Sequence, residues 1–292
     1  GYGEDIMAER IAVAVDTNSG ITPEEAKAWG VSLISMPFCI NDKVYYEGKT
    51  LTQEEFFAHL AENTDISTSQ PSPGELLDTW DRLLQTNDAV IYIPMSGGLS
   101  SSVQSAKILA SDYKDRVYVV DNKRISVTQR QSVLDALYFI KQGYCAEAIQ
   151  RILEDTALDA SIFITVDTLK YLKKGGRVTP AAAAVGSVLN IKPVLQIQGD
   201  KLDAFKKVRG WKAAKKVMIQ ALHDEIDGRF AGKKLWLGTA YSGDKAAGMA
   251  WHETVKAEFP DYEVIGGVLP LSIACHTGPG ALGIGCITKL YD

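Results

Sequence analysis

The sequence has few of the residues that mark metal centres, disulfide frameworks and membrane spans. Its 292 residues include four cysteines and four histidines, and the cysteines lack the spacing of a zinc site or a CxxC pair. We therefore expect buried free thiols in a reducing cytoplasm. No long uncharged apolar run is present, so we predict no transmembrane helix. Residues 1–5 do not resemble a signal peptide, and we expect the native start near Met7.

The sequence also lacks a basic excess and the short motifs of several enzyme classes. Its net charge of −5 argues against a general nucleic-acid-binding protein. It contains neither a Walker loop nor a G-x-S-x-G nucleophile elbow. Residues 278–283 match G-x-G-x-x-G, but a strand-like segment follows them and no acidic ribose ligand comes after it. We therefore predict neither a metal nor an organic cofactor.

Short apolar runs alternate with polar loops and helical patterns in the first half of the chain. Residues 10–15 are rich in β-formers and end at a polar turn, after which Thr22 begins a capping box with Pro at the first helical position. Residues 31–40 indicate a second strand, and the order of strand, loop and helix continues to residue 121. We predict an α/β domain with a mostly parallel, doubly wound sheet and helices on both faces.

A second run of strands and helices begins at residue 161. A small-residue helix at 181–189 precedes a strand at 191–197, and Gly199-Asp200 indicates a hairpin turn to the next strand. Strands in hairpins between helices predict an α+β domain with a mixed sheet. The length suggests two domains, which we place at residues 7–157 and 158–292.

Two loops rich in hydroxyl residues precede predicted helices. One leads through Pro71 to a helix capped by Ser72, and the other follows a buried strand at 89–94. Free N–H groups at a helix N-terminus favour an anion, and open sheets bind ligands beyond the carboxyl ends of their strands. We expect both loops and Asp16-Thr17 to meet in one crevice that binds a small acidic group; the alternative is that they are ordinary loops. The candidate ligand-binding residues are Ser67, Thr68, Ser69, Ser96, Gly97 and Ser100.

Two further residues could contribute to such a site. His276 lies between an apolar segment and a Gly-rich turn, where it is either structural or a hydrogen-bond donor to a bound acid. Arg177 could clamp a carboxylate or phosphate, or form a surface or domain-bridging ion pair. A basic face is either solvated or docks an acidic partner. Its residues are Lys206, Lys207, Arg209, Lys212, Lys215 and Lys216.

Short motifs along almost the whole chain match one bacterial family. They are Asp16-Thr17, Thr68 to Pro71, Ser96 to Ala106, Lys173 to Val178, Leu189 to Pro193, Lys207 to Arg209 and His276 to Gly280. On these motifs the chain resembles the DegV family of fatty-acid-binding proteins. It departs from the usual family pattern at Gly97, at Ser101 to Val103 and at Asn18, which follows Asp16-Thr17 where Asp-Ser-Thr is usual.

The resemblance implies a two-domain carrier with a long-chain fatty acid, roughly C14–C18, between the domains. The carboxylate would lie at the two hydroxyl loops with His276 nearby, and the second domain would close over the acyl chain. Such a protein presents the carboxylate to a fatty acid kinase for phosphorylation and is not itself a catalyst. The implied location is the bacterial cytoplasm, with only transient membrane contact.

The alternative hypothesis is an enzyme, a serine hydrolase that acts on an acyl ester. Ser100 or Ser69 would be the nucleophile, with His276 and Asp16 completing a triad. Sequence spacing does not exclude this hypothesis because triads are assembled in space, but the missing nucleophile elbow weighs against it.

Overall fold

The computed structural model describes residues 8–185 and 191–292. The expected start near Met7, the end of the predicted 181–189 helix and the motif residues Leu189 and Asn190 lie outside these ranges. The first half of the chain contains β1 (Ile11–Asp16), α1 (Pro23–Trp29), β2 (Ser32–Ile34), β3 (Pro37–Ile40), β4 (Lys43–Tyr46), α2 (Gln53–Ala61), β5 (Ile66–Thr68), α3 (Pro73–Leu84), β6 (Ala89–Ile93), α4 (Ser102–Ala110), β7 (Val117–Val119), α5 (Ser126–Lys141) and α6 (Ala146–Asp155). The second half contains β8 (Ala160–Thr165), α7 (Lys170–Gly175), α8 (Pro180–Val185), β9 (Ile191–Ile197), β10 (Asp203–Arg209), α9 (Gly210–Asp227), β11 (Leu235–Tyr241), α10 (Lys245–Glu258), β12 (Val264–Val268), α11 (Leu271–Thr277) and β13 (Leu282–Thr288).

A parallel sheet with strand order β2-β1-β6-β7 organises the first half. All residues of β6 are apolar and buried, because helices cover both faces of the sheet. Phe139 of α5 and Leu153 of α6 lie in the core on one face, and Trp80 of α3 and Val103 of α4 lie in the core on the other. These contacts confirm the predicted doubly wound sheet. The predicted capping box at Thr22 also forms, with both reciprocal hydrogen bonds present.

A separate three-stranded antiparallel sheet, β4-β3-β5, corrects the prediction of one strand at residues 31–40. The chain leaves the parallel sheet after Ile34, and the Met36 amide donates to Thr17 Oγ1 at 3.0 Å instead of to a strand. The next residues pair as β3 with β4 and β5. The hydroxyl loop that begins at Thr68 therefore follows a strand of this small sheet and not of the parallel one.

A mixed sheet with strand order β10-β9-β8-β13-β11-β12 organises the second half and confirms the predicted α+β character. β9 and β10 form the predicted antiparallel hairpin. One face of this sheet packs against α9 and α10, and the other shares a core with Leu99 and Ile125 of the first half. The boundary at residues 157 and 158 falls between α6 and β8 and stays a prediction. Within the described ranges, no helix has both the length and the apolar character needed to cross a membrane.

The turn between β9 and β10 contacts the loop after β6 and so connects the two halves. Ser96 Oγ donates to the Gly199 carbonyl at 2.6 Å. Gly98 lies against the same turn, and a Cβ atom there would be 2.2 Å from the Gly199 oxygen and 2.8 Å from Asp200 Cα. Neither atom belongs to a flexible side chain, so any larger residue at Gly98 must separate the two segments.

We predict that Gly98→Ala lowers the free energy of unfolding by about 1–3 kcal/mol, because overpacking forces the backbone to shift. The control is Gly74→Ala in α3, where an added Cβ meets nothing within 4 Å. It should be neutral or slightly stabilising, since Ala is the better helix former. Urea unfolding of the two variants checks this, and equal stabilities would contradict the contact.

Candidate functional site

A cavity of about 350 Å³ lies between the two halves of the chain. Its apolar lining includes Leu99, Ile125, Ile164, Leu172, Ile197 and Leu202. These residues belong to or pack against one apolar cluster, so they form a continuous wall. Its polar lining includes Asn18, Thr68, Ser69, Gln70, Ser100, Ser101, Arg177, Ser272, His276 and Thr277. The cavity is therefore amphipathic, with hydroxyl, amide, imidazole and guanidinium groups beside an apolar wall.

The parallel sheet positions the cavity where its strand order reverses. β1 lies between β2 and β6, so the chain turns in opposite directions at the carboxyl ends of β1 and β6. Asp16, at the end of β1, accepts hydrogen bonds from the Met95 amide at 2.8 Å and from Gln129 Nε2 at 2.9 Å. Asp16 is fully buried, which raises the pKa of its carboxyl, while these hydrogen bonds oppose the rise. Asp16 thus ties together the loops after both strands.

The structure brings five of the predicted site residues to the cavity. They are Thr68, Ser69, Ser100, Arg177 and His276. Ser67, Ser96 and Gly97 are not among the cavity-lining residues.

Ser67, Ser96 and Gly97 lie outside the cavity lining because of their local contacts and exposure. Ser67 is exposed, since neighbouring residues of a strand point to opposite faces. Ser96 is buried in its bond to Gly199, and the Gly97 amide donates to Asp121 Oδ1 at 3.1 Å. The sequence therefore located the two hydroxyl loops, but it did not show which of their residues face the cavity.

His276 lies in α11 with Nε2 at 3.4 Å from Thr68 Oγ1, so the two predicted residues form a pair across the halves. Burial and, to a smaller extent, the nearby charge of Arg177 together lower the pKa of His276 to about 4. The ring is therefore neutral at pH 7. Arg177 donates to the Gly175 carbonyl at 2.7 Å and forms no ion pair within the described ranges. The alternative of a surface or domain-bridging ion pair is thus wrong for the described residues.

The triad of a serine hydrolase is not assembled among the described residues. Ser100 Oγ is paired with Ser102 Oγ at 2.9 Å and accepts from the Ser102 amide. Asp16 is engaged by Met95 and Gln129, and His276 by Thr68. The hydrolase hypothesis therefore has no support. The described residues also include no group of three or more His, Cys, Asp or Glu that could hold a metal.

Sequence reasoning missed a polar network that joins the start of α11 to the first half. Ser272 Oγ donates to Asn18 Oδ1, and Glu47 Oε2 accepts from the Leu271 amide at 2.5 Å. Burial, together with a smaller effect of the nearby Asp16 charge, raises the pKa of Glu47 to about 7 against the opposing effect of its hydrogen bonds. Asn18 could be recognised from the sequence as part of the polar turn after β1. Ser272 stands within an apolar segment, and no local signal pairs it with Asn18.

We predict that the His276 ring titrates well below its ordinary pKa in the empty protein. Arg177→Gln should raise the pKa of His276 towards 6.5, because it removes the neighbouring positive charge. The measurement is an NMR titration of ring nitrogens, with the signals assigned by their loss in His276→Asn. Lys173→Gln, which removes an exposed charge on α7, is the control. A ring that titrates at its ordinary value, or is unmoved by Arg177→Gln, would contradict the assignment.

Comparison with known proteins places this fold in one family. A family model described as uncharacterised protein, DegV family, matches residues 10–289. A DegV domain-containing protein from Deinococcus radiodurans is 31% identical over 276 residues, which cover 94% of this chain and 97% of that protein. The structure of a DegV family protein from Thermus thermophilus, described as binding fatty acid, has a TM-score of 0.88 and 31% identity and covers 96% of this chain and 100% of that one. DegV from Bacillus subtilis, described as a fatty acid binding protein, has a TM-score of 0.85 and 29% identity over 97% of this chain and 100% of that one. The chain therefore belongs to the DegV family.

Proposed function

We propose that this protein binds a long-chain fatty acid, roughly C14–C18, in the cavity between its two halves. The observation that carries the proposal is the cavity's amphipathic lining, in which an apolar wall adjoins Thr68, Ser100 and His276. The solved relatives at about 30% identity that are described as binding fatty acid share this fold over almost the whole chain, which supports the same ligand class.

The energetics of a fatty acid suit this lining. Burying about sixteen carbons at ~0.8 kcal/mol per CH₂ contributes on the order of 10 kcal/mol before the costs of association. The carboxylate, however, must be fully hydrogen-bonded, since an unpaired buried charge is very costly. Hydroxyl groups and backbone N–H groups near a helix N-terminus can supply these bonds, and Ser72 caps such a helix directly after the Thr68 loop.

In this proposal the carboxylate lies beside Thr68 and a donor of the 96–101 loop, with His276 behind them. Ser100 and Ser101 line the cavity and can provide that donor, whereas Ser96 is engaged with Gly199. Arg177 lines the same cavity and adds a positive charge. The arrangement binds an acid reversibly without activating a nucleophile.

We further propose that the protein is a cytoplasmic carrier that presents the carboxylate to a fatty acid kinase. Cargo exchange would require only transient contact with the membrane. The basic face is the proposed docking surface, because Arg209 and Lys212 are exposed and form no ion pair in the described part of the chain. The carrier role assigns the chemistry of phosphorylation to the partner.

The first test combines cargo identification with one substitution. Organic extraction of protein purified from bacteria should release a straight or branched acid of roughly C14–C18. Thr68→Val keeps the shape and removes one charge-assisted donor, so it should weaken binding about tenfold to a hundredfold in a fatty-acid titration. Ser67→Ala, on the exposed face of the same strand, is the matched control and should bind like the wild type.

Two results would sink this proposal. Empty protein that takes up no fatty acid on titration would exclude the ligand. Equal affinities of wild type and Thr68→Val, with unchanged melting of the empty proteins, would place the carboxylate elsewhere.

A second test addresses the partner. Arg209→Glu with Lys212→Glu should slow phosphorylation of the bound acid by a fatty acid kinase, because steering depends on the basic face. The lipid titration should be unchanged. Lys27→Glu with Lys141→Glu, two exposed reversals at the ends of α1 and α5, produces the same change in net charge and is the control. Unchanged kinase-dependent phosphorylation at low salt, where steering is strongest, would mean that the face is only solvated.

A further inference from the structure

The turn between β9 and β10 lies between two residues that line the cavity. Ile197 is the last residue of β9, and Leu202 directly precedes β10. Leu202 is buried in the same apolar cluster as Leu99 of the first half, and Ile197 packs against that cluster. The second half of the chain therefore contributes part of the apolar wall from the two ends of this turn.

The hydroxyl of Ser96 fixes this turn to the first half. Ser96 is fully buried and gives its only hydroxyl proton to the Gly199 carbonyl at 2.6 Å. The same oxygen accepts from the Gly98 amide at 3.1 Å, so one hydroxyl joins the turn to the loop after β6. Ser96 is not among the described residues that line the cavity, and its proton is already engaged by a carbonyl. The side chain therefore acts on the turn and not on a head group.

Close contacts around the turn restrict its position further. Gly199 has a φ of 81°, in the left-handed region, and a Cβ atom there would be 2.8 Å from Lys123 Cβ and 3.1 Å from Leu158 Cδ2. A Cβ atom at Gly98 would also meet the turn. The turn thus fits closely against three segments of the chain, and the Ser96 hydrogen bond fixes it there.

The backbone of Ser96 contacts the part of the wall that the first half supplies. Its carbonyl accepts from the amides of Leu99 at 3.0 Å and Ser100 at 3.2 Å, and both residues line the cavity. Its amide donates to the Arg124 carbonyl at 2.9 Å, directly before the cavity-lining Ile125. Through its backbone and its side chain, Ser96 therefore bonds to cavity-forming segments of both halves.

We propose that Ser96 is a positioning residue, which holds the β9–β10 turn in place and so keeps Ile197 and Leu202 over the bound acyl chain. The inference rests on the proposed function and assigns Ser96 to the closure of the apolar wall. Without this hydrogen bond the turn leaves its position more often, and the acyl chain is released through the opening. Because an apolar wall contacts the chain and not the head group, the effect is equal for an acid and a neutral lipid of the same chain length.

The test compares the dissociation rates of palmitic acid and hexadecanol from the wild type and from Ser96→Ala. Loss of one hydrogen bond should increase both rates by the same factor, about threefold to tenfold, because the open state is more populated. Thr68→Val, which alters the proposed head-group site, should accelerate release of the acid alone. Melting of the empty proteins checks that each variant is folded.

Hydrogen exchange supplies a second measurement, which does not depend on the variant. In the wild type, bound palmitic acid should slow exchange of the β9 and β10 amides, because the chain packs against the closed wall. In empty Ser96→Ala the same amides should exchange faster than in the empty wild type.

The matched control is Ser242→Ala in the second half. Ser242 is buried, and its hydroxyl donates to the Gly278 carbonyl at 2.6 Å and accepts from the Ala281 amide at 3.0 Å. It is not among the cavity-lining residues of the described ranges. Ser242→Ala should therefore lower the melting temperature about as much as Ser96→Ala, but leave both dissociation rates close to those of the wild type.

The pattern of rates decides the outcome. Equal acceleration for both ligands in Ser96→Ala, with faster exchange of the β9 and β10 amides, supports the assignment. Faster release of the acid alone, unchanged rates despite a lower melting temperature, or equal acceleration in Ser242→Ala overturns it and leaves the proposed function standing. Exchange of these amides that bound acid does not slow also overturns it. A wild type that binds neither ligand overturns the proposed function as well.

Discussion

The buried carboxylate of Asp16 is the constraint on which the rest of the site depends. A buried charge is tolerated only when it is well hydrogen-bonded, and Asp16 obtains its bonds from segments that are distant in sequence. The Met95 amide fixes the loop after β6, Gln129 fixes the start of α5, and the Asn18 amide fixes the turn after β1. The carboxyl ends of two adjacent parallel strands are thereby locked in one geometry. These hydrogen bonds therefore also fix the positions of the cavity-lining residues in both loops.

Helix α11 then connects this centre to the second half of the chain. Glu47 accepts from its first amide, Ser272 bonds to Asn18, and His276 meets Thr68. The pKa of Glu47 is raised to about 7, so its contribution to stability increases as pH falls from 7 towards the ordinary value of 4.5. The pKa of His276 is lowered to about 4, so its contribution is present above the ordinary value of 6.5 and is lost as pH falls towards 4. The two groups therefore act in opposite directions over nearly the same range of pH, which limits the net effect of mild acidification on this connection.

Local patterns predicted what depends on local chemistry. Turn and cap preferences predicted the strand and loop before Thr22, the capping box at Thr22 and the hairpin at Gly199-Asp200. All three are present in the structure. The division of residues 31–40 between two sheets was missed, because an apolar run does not reveal its partner strand. Ser96 and Thr68 illustrate the same limit within the site. Both stand in hydroxyl loops, but one is occupied by the β9–β10 turn and the other by His276, and only the tertiary structure separates them.

The chemistry of His276 bears on the choice between a carrier and an enzyme. A general base must accept a proton from a nucleophile and keep its charged form stable, usually through a carboxylate on its second nitrogen. Here burial and Arg177 both disfavour the charged ring, and Nδ1 packs against Gly175, where a Cβ atom would be only 2.5 Å away. Such a ring can exchange a hydrogen bond with Thr68 or with a bound oxygen, but it is poorly suited to hold a proton. The lining combines hydroxyl groups, a neutral imidazole and the Arg177 guanidinium with an apolar wall, which suits the proposed binding of an acid better than the activation of a nucleophile.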